Sequence, residues 1–410
     1  IVNYKLRSIV ERGIEIILQA CSWVTSLTIL LIVIFLFKEG FSLFRKSSLE
    51  EGSVLVLHKS NPLNKINDTD LKNIFDQSIT DWSEVGGDSV PITLFRIDDI
   101  GNYFTDEELG DTLQNISVCI GKLIDSIPGT IAFVPENYVN ETYIKAHPEF
   151  NGKLIEVPHI KVSDFFAGKE WLPTAHPIAQ MGALPLILGT LWVSLIAILF
   201  ALPLGLSVAI YISEIAHFRV RNVLKPLIEL LSGIPSVVLG FFGLVVVVPF
   251  VQHWFNLPVG ETALTGSIIL AIMALPTIIT LSDDAIRNTP KTMKESSFAL
   301  GANHWQTIRY VILPYSISGI SAAAILGIGR AIGETMAVLM VTGNAAVIPH
   351  SILEPIRTIP ATIAAELGEA PQGGVHYSAL FALACVLFVI SFGINLSVDL
   401  IGAKNKKNKF

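Results

Sequence analysis

Apolar residues in this chain gather into long unbroken runs, near residues 14–37, 184–212, 227–251, 264–282, 311–348 and 378–402. A helix rises about 1.5 Å per residue, so about 20 apolar residues cross the roughly 30 Å hydrocarbon layer of a bilayer. Each run therefore predicts a transmembrane helix. The run at 311–348 is too long for one straight span and predicts a span followed by a re-entrant or peripheral piece. The working count is six spans. Residues 38–183 differ in kind. Short β-rich stretches at Ser53–Leu57, Val90–Phe95 and Thr130–Val134 alternate there with helix-like patterns such as Asp68–Phe75. The pattern predicts an all-α membrane protein with a folded α/β insert between its first and second spans. The expected division is a first helix in 1–37, the insert in 38–180, a membrane core in 181–403 and a basic tail in 404–410.

Composition agrees: 51% of the 410 residues are apolar and only 15% charged, with a mean hydropathy of +0.59. The first apolar run, Ile14 to Phe37, is longer than a signal-peptide core, and no small-residue cleavage site follows Lys38, so it reads as a retained span. Cys21, Cys119 and Cys385 are too scattered for a disulfide framework or a metal site and are expected to be small buried thiols.

Charge supplies the orientation. Basic residues cluster at the N-terminus (Lys5, Arg7, Arg12), after the second span (Arg219, Arg221, Lys225), after the fourth (Arg287, Lys291, Lys294, Arg309) and in the tail (Lys404, Lys406, Lys407, Lys409). The loops on the other side hold only Arg357. Lys/Arg asymmetry of this kind places both ends in the cytoplasm and the insert on the far side. The insert is strongly acidic, with 22 Asp and Glu against 12 Lys and Arg in 38–183; the remainder is mildly basic.

Between the fourth and fifth spans runs Glu295-Ser296-Ser297, then Gly301, then Val311-Ile312-Leu313-Pro314. The spacing resembles the EAA loop (284–312) of ABC importer permeases, E-A-A-x3-G-x9-I-x-L-P, with serines for the alanines and valine for the isoleucine. Small residues let a short helix seat closely in a groove on a partner. Gly301 permits a sharp turn, and Pro314 is expected in the first turn of the next span, where its missing N–H costs nothing. The resemblance implies that Glu295, Ser296, Ser297, Gly301, Leu313 and Pro314 couple the chain to a cytoplasmic ATPase.

The fifth span carries Gly327-Ile328-Gly329-Arg330-Ala331-Ile332-Gly333-Glu334-Thr335-Met336-Ala337. Charges inside a span are costly and default to a functional reading. On a continuous helix, Arg330 and Glu334 share a face and can pair. Gly329 and Gly333 form a G-x-x-x-G for close helix packing. The string closely resembles that of phosphate importer permeases of the PstC type. An arginine fork suits phosphate, so Arg330 and Glu334 are expected in the substrate path. Glu229 at the start of the third span and Asp283 and Asp284 at the end of the fourth read as boundary or packing residues. Pro203 and Pro235 read as mid-span kinks.

In the insert, Asn61-Pro62-Leu63, the stretch 68–87 and Pro128-Gly129-Thr130 resemble one lobe of the periplasmic phosphate-binding proteins. Those follow an arginine with Ser-Gly-Thr. Here Arg96 is followed by Asp98, Asp99, Ile100, Gly101 and Asn102, so the insert is expected to dock or scaffold, with Arg96 structural.

The resemblance implies an inner-membrane permease working with a second related permease, a cytoplasmic ABC ATPase dimer, an extracytoplasmic phosphate-binding protein and membrane lipid, without nucleic acid. The chain has no G-x-x-x-x-G-K-[ST] loop; the resemblance assigns ATP and magnesium to the partner ATPase, and no cofactor or catalysis to this chain. Two alternatives stand beside this reading: a membrane sensor that uses the insert, and a permease for another oxyanion.

Overall fold

The computed structural model describes the backbone of residues 2–110 and 114–407 and the side chains of 12–110 and 114–397. Lys5, Arg7 and the tail lysines, on which part of the orientation argument rests, have side chains outside that range. Among the described residues, six helices are long and apolar enough to cross a membrane: Arg12–Arg45, Leu184–Ile215, Ser236–Trp254, Ala263–Arg287, His304–Gly333 and Val375–Ser397.

The fourth span is the hub. It packs against the second and the fifth, and its apolar side chains are buried on nearly every side. Small residues allow this approach. A Cβ on Gly205 of the second span would press on Ile278 at 2.8 Å, and one on Gly327 of the fifth would meet the same side chain at 2.9 Å. One on Gly319 would collide with Ala285. Ser267 crosses between helices, donating to the Ala263 carbonyl at 2.7 Å and the Val193 carbonyl at 3.2 Å. Such close packing and interhelical bonding holds spans together where lipid supplies no hydrophobic drive.

Several expectations need correction here. Within this chain the close-packed glycines of the fifth span are Gly319 and Gly327. A Cβ on Gly333 would meet nothing, and one on Gly329 would only graze Asn395 at 4.0 Å, so no span of this chain packs closely on the expected G-x-x-x-G. The third span does not begin near 227. Phe218–Ser232 is a separate amphipathic helix, Gly233 ends it, and Pro235 is the extended residue before the span that starts at Ser236. Proline biases the preceding residue away from helix, so the chain breaks there. Glu229 accordingly sits exposed on the amphipathic helix, and Pro235 is a boundary rather than a kink. Pro203 does lie inside its helix. Cys119 is buried, but Cys21 is exposed on the first span.

The insert forms a four-stranded sheet from β1 (Ser53–His58), β2 (Thr93–Arg96), β3 (Thr130–Pro135) and β4 (Gly152–Leu154), in the order β2-β3-β1-β4. β1 runs antiparallel to β3 and β4, while β2 is parallel to β3. Alternation along β1 feeds two cores. Leu55 and Leu57 face Leu71, Ile74 and Trp82 on one side; Val56 faces Phe95, Ile120 and Ile124 on the other. The helices Asp68–Phe75 and Ile116–Ser126 cover these faces. Arg96 is exposed, with its guanidinium 5.5 Å from the Phe75 ring centroid.

A short hairpin of β5 (Trp171–Leu172) and β6 (Gln180–Met181) ties the insert to the spans. Leu43, Phe165, Trp171 and Met181 share one buried cluster with Leu186, Leu380 and Leu383. At its edge sits a polar knot on Glu366. The Trp171 indole donates to Oε2 at 3.0 Å, His376 Nε2 to the same oxygen at 2.9 Å, and Arg357 to Oε1 at 2.8 Å. Burial alone would raise the Glu366 carboxyl, but the hydrogen bonds from His376 and Trp171 and the Arg357 charge hold it below its usual range.

A depressed carboxyl contributes stability above its unfolded value, about 4.3, and loses it as pH falls through the lower folded value. Glu366→Gln should therefore lower thermal stability at pH 7, by about 3–5 kcal/mol because Arg357 is left uncompensated. Melting of both proteins in detergent across pH 3–7 should show the gap closing only at the acid end; a gap constant in pH would remove the charge from the explanation.

Candidate functional site

Two regions carry the chemistry: a break in the fifth span and the loop that precedes it. The fifth span starts beyond the fourth span's far end, where Ser316 donates to the Ala285 carbonyl at 3.0 Å. Arg330 lies fourteen residues further on, about 21 Å at 1.5 Å per residue, deep within the hydrocarbon layer. The helix stops three residues later. Glu334 is extended at φ −71°, ψ 131°, and a second piece, Met336–Val341, resumes after Thr335. The long apolar run is thus a span followed by a short separate helix, as its length predicts.

The break alters the expected pairing. Arg330 and Glu334 are four residues apart, but the helix ends between them, so the i, i+4 geometry is lost. No ion pair joins them. Arg330 instead donates from Nη1 to Thr277 Oγ1 of the fourth span at 3.2 Å. A guanidinium has five N–H donors; among the described residues the others meet no protein acceptor, and the side chain is exposed. Its charge also lies in the last turn, where it complements the carbonyl end of the helix. A charge this deep persists only where it faces a polar cavity or a partner. The break therefore sets a cation and the Thr277 hydroxyl together within the spans, with Glu334 half-buried just beyond the helix end and Thr335 donating to the Gly333 carbonyl at 3.3 Å. Sequence reasoning missed Thr277; the available signal was a hydroxyl beside Pro276 in an apolar run.

The preceding loop folds as a helix, Lys291–Ala299, a left-handed turn at Gly301 with φ +83°, and a new helix start capped by Asn303. Asn303 and Gln306 cap each other's backbone N–H groups at 2.8 Å. The serines divide: Ser296 is exposed, whereas Ser297 is buried and bonded to Thr307 Oγ1 at 3.0 Å. Glu295 is exposed. Met293, Phe298, Leu300, Trp305 and Tyr310 stand exposed around the turn, Leu300 at 90%. Exposed apolar side chains gathered at the turn and the start of the fifth span are the kind of surface that meets a protein partner or the membrane.

Two contacts brace this loop against the second span. Lys294 Nζ lies 2.6 Å from Glu214 Oε1, and His304 Nε2 donates to the Glu214 carbonyl at 2.9 Å. Glu214 was not singled out from sequence, because its partners lie 80 to 90 residues away. Asp283 proves almost fully buried, paired with Arg287 at 2.7 Å and Lys225 at 3.4 Å, so it joins the amphipathic helix to the fourth span; Asp284 is exposed.

Pro314 is the second residue of the α-helical stretch Leu313–Gly333, in its first turn as expected, and the π turn Ile308–Ile312 joins that stretch to His304–Thr307. His304–Gly333 therefore runs on as one helix. Ile308–Ile312 forms a widened π turn in which the Leu313 N–H bonds the Ile308 carbonyl. The wider turn accommodates a residue that has no N–H to give.

A family model described as "Binding-protein-dependent transport system inner membrane component" matches residues 201–407. The chain is 40% identical over 243 residues to the "Probable ABC transporter permease protein YqgH" of Bacillus subtilis (strain 168), covering 59% of this chain and 78% of that protein. It is 39% identical over 247 residues to the "Phosphate transport system permease protein PstC" of Mesorhizobium japonicum, covering 56% and 74%. Among solved structures, an inward-facing form of the MetNI methionine ABC transporter aligns with a TM-score of 0.43 at 18% identity, over 53% of this chain and 94% of that one.

Gly301 offers a direct check of the loop geometry. Nothing lies within 4 Å of a Cβ placed there, so substitution costs only backbone strain. Gly301→Val should destabilise the protein by about 1–2 kcal/mol, and Gly301→Asn by clearly less, since asparagine tolerates the left-handed region. Equal melting shifts for the two variants would argue against the turn.

Proposed function

The chain belongs to the binding-protein-dependent transport system inner membrane components, and we propose that it is the permease subunit of an ATP-driven importer of inorganic phosphate. The observation that carries the reading is Arg330, a guanidinium at membrane depth with most of its donors unspent, set at a helix break. A phosphate oxyanion takes charge-assisted hydrogen bonds from such a fork. Relatives named as phosphate transport system permeases support the choice of cargo. Glu334, one turn on and unpaired with Arg330, keeps the local charge low once an anion has left.

In this reading Glu295, Ser296, Gly301 and the exposed apolar residues around the turn meet a cytoplasmic ABC ATPase dimer, which binds ATP and magnesium and hydrolyses ATP. Ser297, Leu313 and Pro314 act from within by holding the loop on the fifth span. Gly329 and Gly333, open within this chain, face a second related permease, so the path forms between two subunits. Both termini lie in the cytoplasm of a bacterial inner membrane, and the insert faces outward, where it receives an extracytoplasmic phosphate-binding protein. The insert's own role is docking. Transport follows from loaded binding protein and ATP favouring different access states.

The test is uptake of labelled phosphate into proteoliposomes holding this chain with its ATPase and second permease, with and without binding protein. Arg330→Ala should lower uptake about tenfold or more, the worth of a charge-assisted bond, while Arg330→Lys keeps part of it. ATP hydrolysis should be less affected than uptake. Full phosphate uptake by Arg330→Ala would sink the assignment of the residue. No uptake of phosphate, sulfate or molybdate by the wild type would sink the importer reading and favour a sensor.

A further inference from the structure

One apolar groove belongs to neither region above. It lies where the first and sixth spans meet the insert, and its walls include Phe37 and Phe41 of the first span, Cys385 and Val389 of the sixth, Ile187 of the second and Phe166 of the insert. The first and sixth spans close on each other below it: Gly40 brings a would-be Cβ within 2.8 Å of Cys385 Sγ, and that thiol donates to the Leu36 carbonyl at 3.4 Å. Phe37 meets Phe388 edge-on at 5.9 Å. The insert's helix Val162–Ala167 roofs the groove, with Phe165 packed edge-on against Phe44 at 5.8 Å and Phe166 left exposed. Three of its walls are membrane spans, so the groove opens into the hydrocarbon layer rather than into water.

The first span carries two exposed cations beside the groove. Lys38 follows Phe37 and Arg45 follows Phe44; both are exposed, and among the described residues neither makes an ion pair. Glu39 between them is half-buried. Lys46, by contrast, is taken up by the carbonyls of Gly373 and Gly374 and by Glu51. Arg45 stands at the insert end of the slot and Lys38 about 10 Å nearer the middle of the span, each an exposed neighbour of a slot residue, so a dry aromatic slot for a chain is flanked by two long cationic side chains that can reach up to an anion.

We propose that this groove holds one acyl chain of an anionic glycerophospholipid from the leaflet next to the insert, with its phosphate on Lys38 and Arg45. The lipid fills the space between the first span, the sixth span and the insert's roof. It thereby fastens the insert to the membrane core at a point that no side chain of the described residues fills.

The experiment uses the full chain purified with its partner subunits and reconstituted in phosphatidylcholine nanodiscs containing phosphatidylglycerol. Native mass spectrometry after partial delipidation reads the lipid that stays bound. The wild type should retain phosphatidylglycerol in preference to phosphatidylcholine. Lys38→Gln with Arg45→Gln should lose that preference, by about fivefold for each charge. Val389→Trp, at an exposed groove position, should fill the slot and abolish retention, whereas Leu195→Trp, on an exposed face of the second span, should not. Equal retention of the two lipids by the wild type, or undiminished retention by Val389→Trp, overturns the proposal. So does retention by the isolated chain that disappears in the complex, which would give the groove to a partner subunit.

Discussion

Hydrocarbon offers no hydrogen-bond partner, and every other feature of this molecule is arranged around that fact. Backbone polar groups must be satisfied within a helix, so the core is a set of helices whose apolar sides face lipid. The first span shows the simplest case: from Ile14 to Leu31 its side chains are exposed, and it joins the bundle only near its insert end, through the sixth span. The fourth span shows the opposite case, wrapped by neighbours that approach through Gly205, Gly319 and Gly327. Between these extremes the same constraint makes a broken helix and an unspent guanidinium informative. Both are costly in lipid, and they occur together at Glu334 and Arg330.

The loop before the fifth span and the break at its far end are joined by one continuous helix, His304–Gly333. Phe298, Leu300 and Trp305 ring the turn at one end, and Arg330 sits near the other. The π turn at Ile308–Ile312 lets Pro314 stay inside that helix without ending it. Glu214 and Lys294 brace the loop on the second span. On the proposed reading, contact with the ATPase at the loop is passed along this helix to Arg330, whose hydrogen-bond partner Thr277 sits on the hub helix. The insert is joined to the spans differently, by the buried cluster around Trp171 and by the Glu366 knot.

The sequence by itself determined what the bilayer dictates. Span number, the insert's strands at Ser53, Thr93 and Thr130, and the position of the turn at Gly301 all depend on local hydropathy, strand pattern or a glycine, and all are legible along the chain. One local feature was misread. Gly233-Ile234-Pro235 separates an amphipathic helix from the third span, and it was hidden because Phe218–Ser232 is rich in leucine and isoleucine. Pro314 does open the helical stretch Leu313–Gly333, but the π turn that joins it to the helix before has no sequence signature.

Only the tertiary structure decided which groups meet. Arg330 turns to Thr277 rather than Glu334 because the helix ends at Gly333, and nothing in the four-residue spacing announces that end. Gly329 and Gly333 have the spacing of a packing motif, yet within this chain it is Gly319 and Gly327 that meet the fourth span, at Ala285 and Ile278. Glu214, Asp283 and Glu366 acquire their partners across long stretches of chain. Hydropathy is a property of each segment and can be read in order. Pairing depends on how helices rotate against one another, and that rotation is set by the sum of all their contacts.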